Sequence, residues 1–211
     1  MMTVAVLAAN GRSGQAFVAA ALAAGMNVRA GVHGASTLPA HKNCVDVPCD
    51  ATNSDEVERL IDGCDAVVSL IGHTPRSDGN VQADAMKTVV NAMRKLGIKR
   101  IISLTGTGVR VPGDTPNIVD KLATLFISTV DPQRVRDGKA HAEVLQGSQL
   151  DWTIIRVLKL TNGTHKGRVR FSLTGPAEMT TPRARVAAAI VQLLQDGTYI
   201  HAMPIIKGKE V

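Results

Sequence analysis

Apolar and polar positions follow two alternating patterns along this chain. Short apolar runs, each about the length of one strand, are followed by longer segments whose apolar residues recur at helical spacing. The predicted strands are 3–8, 27–33, 44–50, 65–72, 99–106, 150–160 and 199–206, and the predicted helices are 14–25, 54–63, 81–97, 133–147 and 181–197. Continuous apolar runs such as 3–8 are typical of parallel strands that are covered on both faces.

Repetition of strand and helix predicts an α/β fold with an open, doubly wound parallel sheet of the Rossmann type. Residues 167–173 alternate between apolar and polar, so we expect a half-exposed edge strand there. Residues 107–130 contain Pro and Gly signals and are expected to form a loop. The length of 211 residues fits a single domain over residues 1–211.

The segment LAANGRSG, residues 7–14, joins the first predicted strand to the first predicted helix. In this fold the first such turn is where phosphate groups bind, because the helix N-terminus offers free N–H groups and the positive end of its dipole. The alternative is a tight turn that serves only helix packing. The position of the glycines between strand and helix favours a dinucleotide site. The candidate cofactor-binding residues of the turn are Ala8, Asn10, Gly11, Arg12, Ser13 and Gly14.

The end of the second predicted strand bears on the choice between NAD and NADP. An NAD site usually places Asp or Glu there to accept from the ribose 2′-hydroxyl, whereas residues 29–37 contain no acid. Arg12 and His33 are candidates for binding a 2′-phosphate, which suits a guanidinium well. We therefore expect NADP, with NAD as the alternative. For His33, a loop histidine that binds no cofactor is the other interpretation.

Two further segments end at the same edge of the predicted sheet. Asp50, followed by Ala51, is placed to accept from the adenine amino group. Alternatively, Asp50 or Asn53 caps the helix that follows. The next strand ends in three residues that we expect to pass beside the adenosine ribose, namely Leu70, Ile71 and Gly72.

Composition narrows the function classes. Aromatic residues make up 2% of the chain, which argues against a stacking surface for single-stranded nucleic acid. The net charge is +6, but the charges are scattered, so no nucleic-acid partner is expected. No apolar run reaches the ~18 residues of a membrane helix, and the three cysteines lack a repeated metal-binding pair. We expect a cytoplasmic protein, monomeric or homodimeric, that binds a small-molecule substrate and no metal.

Four segments, taken in order and with their spacing, resemble one protein family. They are LAANGRSG (7–14), CDATNSDEVERLIDGCDAVVSLIG (49–72), KAHAEVLQGSQLDWTIIRV (139–157) and MTTPRARVAAAIVQLL (179–194). They are similar to the atypical short-chain dehydrogenase/reductase proteins of the NAD(P)H-binding, NmrA-like type, and within these to the biliverdin reductase B/flavin reductase group. The resemblance implies NADP or NAD as cofactor and reduction of a small or conjugated organic acceptor. The first glycine of the family loop is Ala8 in this chain.

The chain departs from the superfamily at the residues used for carbonyl reduction. The resemblance places the superfamily Lys at Lys139, where it would bind the nicotinamide ribose, and the proton-donating Tyr then falls at Val135, which cannot donate a proton. The superfamily Ser falls near Gly106, which leaves Thr105 or Thr107. Thr105 and Lys139 are therefore the candidate catalytic residues, and the usual Tyr–Lys mechanism is not available.

The substrate is expected beyond the carboxyl ends of the strands. We expect the substrate region to be formed by loops in residues 73–80, 105–132 and 157–180. Three basic residues there, His73, Arg76 and Arg110, are candidates for binding acidic groups of a substrate. The alternative for each is a solvated loop charge.

Three functions are compatible with this pattern. The leading hypothesis is hydride transfer from NAD(P)H to a flavin-, quinone- or tetrapyrrole-like acceptor, which takes its proton from solvent and needs no Tyr. The second is a non-catalytic dinucleotide sensor that regulates a partner, as NmrA-like relatives do. The third is an isomerase or epimerase that uses a bound cofactor transiently, and the missing Tyr makes it the least favoured.

Overall fold

The computed structural model describes residues 1–73 and 79–207, and it is built around a central sheet. The strands are β1 (Thr3–Leu7), β2 (Asn27–Val32), β3 (Cys44–Pro48), β4 (Ala66–Ser69), β5 (Arg100–Gly106), β6 (Asp151–Val157), β7 (Leu160–Thr161), β8 (Arg170–Ser172), β9 (Thr181–Pro182) and β10 (Ile205–Lys207). The helices are α1 (Arg12–Ala23), α2 (Ser54–Ile61), α3 (Val81–Leu96), α4 (Ile118–Val130), α5 (Pro132–Gln146) and α6 (Arg183–Asp196).

Eight strands form one sheet in the order β3-β2-β1-β4-β5-β6-β10-β8. Every neighbouring pair is parallel except β10 and β8, which run antiparallel at the edge. The doubly wound parallel sheet and its edge strand are therefore confirmed. The strand order reverses at β1, which lies between β2 and β4, and ligands of such sheets bind beyond the carboxyl ends of the strands at this point.

Helices cover both faces of the sheet, which explains the continuous apolar runs. Successive strand side chains point to opposite faces. In β1, Val4 and Val6 pack into the core beneath α1 and α6. Ala5 and Leu7 pack into the core on the other face, with α2, α3 and α5.

Helix α4 differs from the sequence expectation, which was a loop over residues 107–130. The Pro and Gly signals of this segment lie before Asn117, whose side chain accepts a hydrogen bond from the Asp120 backbone N–H and so starts a helix. The helix leaves large apolar side chains in solvent, among them Leu122 and Phe126, which is 67% exposed. The apolar residues of 118–130 recur at helical spacing, but the predicted loop extends through Asn117 and covers this helix.

Two other predicted strands are shorter in the structure. The strand predicted over 199–206 is limited to β10, because Tyr199 and His201 adopt left-handed backbone conformations with φ of 58° and 55°. The strand predicted over 150–160 is divided into β6 and β7. The division matters because the break between them lies at the ligand-binding edge of the sheet.

The membrane and cysteine expectations concern the helices and the three thiols of the described residues. Within residues 1–73 and 79–207, no helix is both long and apolar enough to cross a membrane. All three cysteines are free. Burial raises the pKa of the Cys49 and Cys64 thiols to about 11, so these thiols are poor nucleophiles at neutral pH.

Helix α5 carries polar side chains into the interior. Asp137 is fully buried and accepts hydrogen bonds from the backbone N–H groups of Gln82 and Ala83, each at 2.9 Å, so it caps the first turn of α3 from a neighbouring helix. One turn later, the Nε2 atom of His141 lies 2.7 Å from the Ser103 hydroxyl. Burial lowers the pKa of His141 to about 4, although the charge of Asp137 acts in the opposite direction.

Because His141 is neutral in the folded chain, we expect it to make stability depend on pH. The unfolded chain takes up the histidine proton near pH 6.5 and the folded chain only near pH 4, so stability is lost as pH falls across this interval. Between pH 7.5 and 5.0 this loss is about 2 kcal/mol. Urea unfolding at both pH values should show a smaller loss in His141→Gln, which cannot titrate.

The control for this experiment is His165→Gln, which removes a histidine that is only half-buried and lies near Gly167 O. It should lose stability between the two pH values as the parent chain does. An equal pH dependence in the parent and in His141→Gln would contradict the prediction.

Candidate functional site

The turn between β1 and α1 leaves the first helical turn open. The Ala9 N–H donates to Gly31 O and the Gly11 N–H to Ala8 O, each at 3.0 Å, and the Gln15 side chain donates to Asn10 O, so the turn is held without a side chain capping the helix. Gly11 is the N-cap of α1 and has no side chain that could cap it. Gly11, Arg12 and Ser13 line a cleft. The N–H groups of this turn are therefore open to an anion, as a dinucleotide phosphate requires.

Gly14 allows α1 to pack directly against the end of β1. A Cβ atom at Gly14 would lie 2.5 Å from the Ala9 carbonyl oxygen and even closer to that of Ala8. Both obstacles are backbone atoms, which cannot move aside as a side chain can. Gly14 is thus required for helix–strand packing, while the less crowded Gly11 borders the cleft.

Ala8 has a backbone conformation that alanine rarely adopts. Its φ is 59°, in the left-handed region. The position therefore favours glycine for its backbone freedom, and the Cβ atom of alanine costs roughly 1 kcal/mol there.

A cleft of about 560 Å³ lies beyond the carboxyl ends of β1, β4, β5 and β6. It contains most of the cofactor residues predicted from the sequence, together with His73. These residues are Ala8, Gly11, Arg12, Ser13, Leu70, Ile71, Gly72 and Thr105. A Cβ atom at Gly72 would meet nothing within 4 Å, so the missing side chain leaves room in the cleft.

Asn10 does not line the cleft but fixes the segment that follows β2. Its amide donates to Ala35 O at 2.8 Å, and its Oδ1 accepts from the Thr37 N–H at 3.0 Å. Gln15 of α1 also donates to the Thr37 hydroxyl at 3.0 Å. The acid-free segment that begins at His33 is therefore held beside the glycine turn.

Asp50 and His33 lie near each other at the far side of this turn, outside the cleft lining. Hydrogen bonds from the backbone and hydroxyl of Thr52 lower the pKa of Asp50, and the charge of His33 contributes in the same direction. Asn53 caps α2 by accepting from the N–H groups of Asp55 and Glu56. Of the two proposed caps, Asn53 is therefore the one observed, and Asp50 fixes a turn just before it. Ala51, the other candidate here, is half-buried.

Two threonines after β5 bring hydroxyl groups to the cleft. Thr105 and Thr107 both line it, and both are almost completely buried. Among the described residues, no group forms a hydrogen bond with Thr107 Oγ1. A buried hydroxyl without a partner costs about 1–3 kcal/mol. The Thr107 hydroxyl is therefore a candidate contact for a ligand atom in the cleft.

The structure does not bring Lys139 into the cleft. Val135 lines it, but Lys139, one turn later, is exposed and absent from the lining. The inward face of α5 passes through Gly138, whose Cβ would lie 3.0 Å from Thr105 Oγ1. Successive helix positions differ by about 100°. Lys139 is therefore exposed and outside the lining of the cleft, and its contact with the nicotinamide ribose stays a prediction.

The three predicted substrate residues have different positions. His73 lines the cleft, and its Nε2 atom lies 2.8 Å from Oδ2 of the buried Asp137. Arg110 is not in the lining. It is paired with Asp120 at 3.1 Å and donates to Thr124 Oγ1 at 3.0 Å, so it anchors α4 rather than facing the cleft. Arg76 lies outside the described residues.

Arg156 was not among the residues predicted from the sequence, although an arginine within the apolar run DWTIIRV indicates a buried charge. It is completely buried, and its guanidinium forms a two-pronged hydrogen bond with Asp114, at 2.5 and 2.8 Å. It also donates to Met203 O at 2.8 Å and Leu173 O at 2.9 Å. Burial is the largest single effect and raises the pKa of Asp114, but the hydrogen bonds from Arg156 and the Val111 N–H, together with the charges of Arg156 and Arg110, lower it overall.

Comparison with known proteins places the site in context. A family model described as NAD(P)H-binding matches residues 8–197. No curated protein matches the sequence.

Solved structures share the fold over nearly the whole chain. One is a short-chain dehydrogenase/reductase from Veillonella parvula DSM 2008 in complex with NADP, with a TM-score of 0.82 and 18% identity over 98% of this chain and 94% of that chain. Another is ChuY, an anaerobillin reductase from Escherichia coli O157:H7, with a TM-score of 0.80 and 22% identity over 100% and 98%. A putative NAD-dependent epimerase/dehydratase from Bacillus halodurans has a TM-score of 0.77 and 18% identity over 100% and 96%.

The conformation of Ala8 leads to a stability prediction. Ala8→Gly should raise the free energy of unfolding by about 1 kcal/mol, because glycine adopts this φ without strain. The matched control is Ala9→Gly, which should lower it, because Ala9 is fully buried and has no such φ. Urea unfolding of the three proteins measures both effects. A loss of stability in Ala8→Gly would contradict the strain at this position.

Proposed function

This chain belongs to the NAD(P)H-binding family, and from that premise we propose that it is an NADPH-dependent reductase of a conjugated organic acceptor. The observation that carries the proposal is one cleft in which an open helix N-terminus meets the Thr107 hydroxyl, which has no hydrogen-bond partner among residues 1–73 and 79–207. The helix N-terminus suits the phosphates of a dinucleotide, and the Thr107 hydroxyl suits a polar atom of a second molecule bound beside it.

The glycine turn would hold the pyrophosphate of the cofactor. The open N–H groups of α1 and the side chain of Arg12 both lie at the cleft. Arg12 is also close enough to Arg183 of α6 to lower its pKa, after the larger effect of burial. This position favours the pyrophosphate as the partner of Arg12, rather than the 2′-phosphate expected from the sequence.

The opposite side of the turn would hold the adenosine end. His33 and the segment that Asn10 fixes would contact the ribose 2′-phosphate, and Asp50 with Ala51 would lie beside the adenine. The absence of an acid after β2 supports NADP. Gly72 and its neighbours would leave room for the adenosine ribose.

The other half of the cleft would hold the acceptor. Aliphatic side chains such as Val109, Ile127 and Val135 line it, and they suit a flat apolar molecule. Three of the larger aromatic residues do not line it. Trp152 is buried, Phe171 packs against Tyr199, and Phe126 is exposed. Parts of the loops 105–132 and 157–180 line this half, which supports them as the substrate region.

The chemistry requires little of the protein besides binding. When bound, NADPH supplies the hydride, and a flavin-, quinone- or tetrapyrrole-like acceptor takes the accompanying proton from water. Thr105 and Thr107 would donate hydrogen bonds to an oxygen or nitrogen of the acceptor as negative charge develops on it. Fold similarity to an anaerobillin reductase supports a tetrapyrrole among the three acceptor classes.

A second candidate function is a non-catalytic dinucleotide sensor. It is favoured by Val135, which occupies the cleft where the superfamily resemblance places Tyr, and by the outward position of Lys139. The two candidates predict the same cofactor binding but differ in turnover.

The first test concerns the cofactor. Calorimetric titration should show NADPH binding at least tenfold more tightly than NADH, because the segment after β2 carries no carboxylate to repel a 2′-phosphate. Arg12→Gln should weaken both cofactors by a similar factor of about ten, as expected of a pyrophosphate contact. Equal affinities for NADPH and NADH in the parent protein would contradict NADP specificity. If Arg12→Gln weakens the binding of NADPH but not of NADH, then Arg12 binds the 2′-phosphate and not the pyrophosphate.

The second test concerns turnover. NADPH oxidation, followed by absorbance, should accelerate with at least one of FMN, menadione and biliverdin. Thr107→Val, which keeps the side-chain volume, should slow that reaction about tenfold and should not destabilise the protein, because the lost hydroxyl has no partner among the described residues. Tight NADPH binding without acceleration by any acceptor would favour the sensor.

A further inference from the structure

Helices α1 and α6 pack against each other on one face of the sheet, and both begin at the same cleft. Phe17 of α1 and Ile190 of α6 belong to one buried cluster with Val6 of β1. Arg12 is the first residue of α1, Arg183 is the first residue of α6, and both line the cleft. Two helices that are distant in sequence therefore each bring an arginine to the cleft beside the glycine turn.

The two guanidinium groups are close enough to repel each other. Burial is the larger cause of the lowered pKa of Arg183, and the like charge of Arg12 lowers this pKa further. In the part of the chain that the structure describes, no carboxylate lies within ion-pair distance of either arginine. An anion bound between the two groups would remove this repulsion.

The side chain of Arg183 is oriented by a neutral partner. Its Nη1 atom donates to Oδ1 of Asn162, just after β7, at 3.0 Å. The other terminal nitrogen, Nη2, is neither buried nor hydrogen-bonded to any group among residues 1–73 and 79–207. Asn162 therefore holds the guanidinium at the cleft without neutralising it, and Nη2 is available to donate to a phosphate oxygen.

The position of Arg183 assigns this anion to the cofactor. Its neighbour Arg12 belongs to the turn where dinucleotide phosphates bind, and α6 covers β1, the strand that leads into this turn. Both phosphates of a pyrophosphate are ionised at neutral pH. The N-terminus of α1 supplies the equivalent of only about half a positive charge, so this helix end and Arg12 together do not balance the pyrophosphate. A second cation beside Arg12 completes the balance.

We propose that Arg183 binds the cofactor pyrophosphate together with Arg12, so that the two phosphates lie between α1 and α6. The proposal rests on the cofactor site of the proposed function. It adds to that site a residue about 170 positions further along the chain than the glycine turn. Cofactor binding would then link the first and last helices of the domain.

The test compares three ligands that share a pyrophosphate, namely ADP-ribose, 2′-phospho-ADP-ribose and NADP⁺. Each is titrated by calorimetry against the parent chain and Arg183→Gln. The variant should bind all three more weakly by the same factor of about ten. A loss confined to the two ligands with a 2′-phosphate would place Arg183 at that phosphate. A loss confined to NADP⁺ would place it at the nicotinamide half. Either result would overturn the proposal.

Further variants separate binding from a structural role. Arg183→Lys keeps the charge but not the planar fork, so it should lose only about threefold in affinity for each ligand. Arg168→Gln is the matched control, because Arg168 is exposed, pairs with Asp196 and does not line the cleft. It should bind all three ligands as the parent chain does. If Arg183→Gln does not fold, the equal and partial loss in Arg183→Lys decides the outcome.

Thermal unfolding provides a readout that a structural role would move in the other direction. Arg183→Gln removes a charge that Arg12 repels, so the free variant should melt no lower than the free parent chain. The rise in melting temperature that saturating ADP-ribose produces in the parent chain should be smaller in the variant. A lower melting temperature of the free variant with an unchanged rise would show that Arg183 only stabilises the fold.

Failure of this proposal is distinguishable from failure of the proposed function. Unchanged affinity for ADP-ribose in Arg183→Gln would overturn the role of Arg183 and leave the reductase function standing. Binding of none of the three ligands by the parent chain would overturn both. Tight binding with the expected loss in Arg183→Gln, but without NADPH oxidation by any acceptor, would contradict the reductase function alone.

Discussion

One buried cation links the segments that follow β5 and β6. Arg156 lies inside the protein at the end of β6, and its side chain donates hydrogen bonds to segments distant in sequence, namely to Val109, Asp114, Leu173 and Met203. A buried ion pair adds little net stability over an apolar pair, but removal of one partner leaves an unpaired charge and costs about 3–5 kcal/mol. Arg156 and Asp114 therefore act as a connector between the loop after β5, the edge strand β8 and the start of β10. The cleft keeps its shape because these segments cannot move independently.

The two halves of the cleft are built by different means. The cofactor half uses backbone groups: an uncapped helix, a glycine that permits close packing, and a loop fixed by Asn10. Because it depends mainly on backbone groups, this half of the cleft tolerates many sequences, which agrees with the low sequence identity among the proteins that share the fold. The half proposed for the acceptor uses side chains from β5, α4, α5 and the β7–β9 sheet, with aliphatic walls and basic residues. Under the proposed reductase function, specificity belongs to this second half, because side chains distinguish one acceptor from another.

Several features were predictable because they depend on local pattern. The apolar runs identified the buried strands, and the glycines after β1 identified the phosphate turn. Adjacent residues such as Val4 and Ala5 are both apolar although they point to opposite faces, as expected of a strand that is covered on both faces. Helix α4 was missed because its start depends on a single cap, Asn117, next to a Pro- and Gly-rich loop. The sequence did not show that Lys139 lies outside the cleft lining, because this depends on how α5 packs on the sheet.

The sequence by itself thus determined the order of strands and helices, the phosphate turn and the absence of an acid after β2, since each is encoded within a few neighbouring residues. Only the tertiary structure decided which distant groups meet. It placed Arg12 near Arg183, Asp137 at the start of α3, and the buried Thr107 hydroxyl in the cleft. These contacts depend on how helices are rotated and packed on the sheet. That packing is set by the whole core, so no local stretch of sequence reveals it.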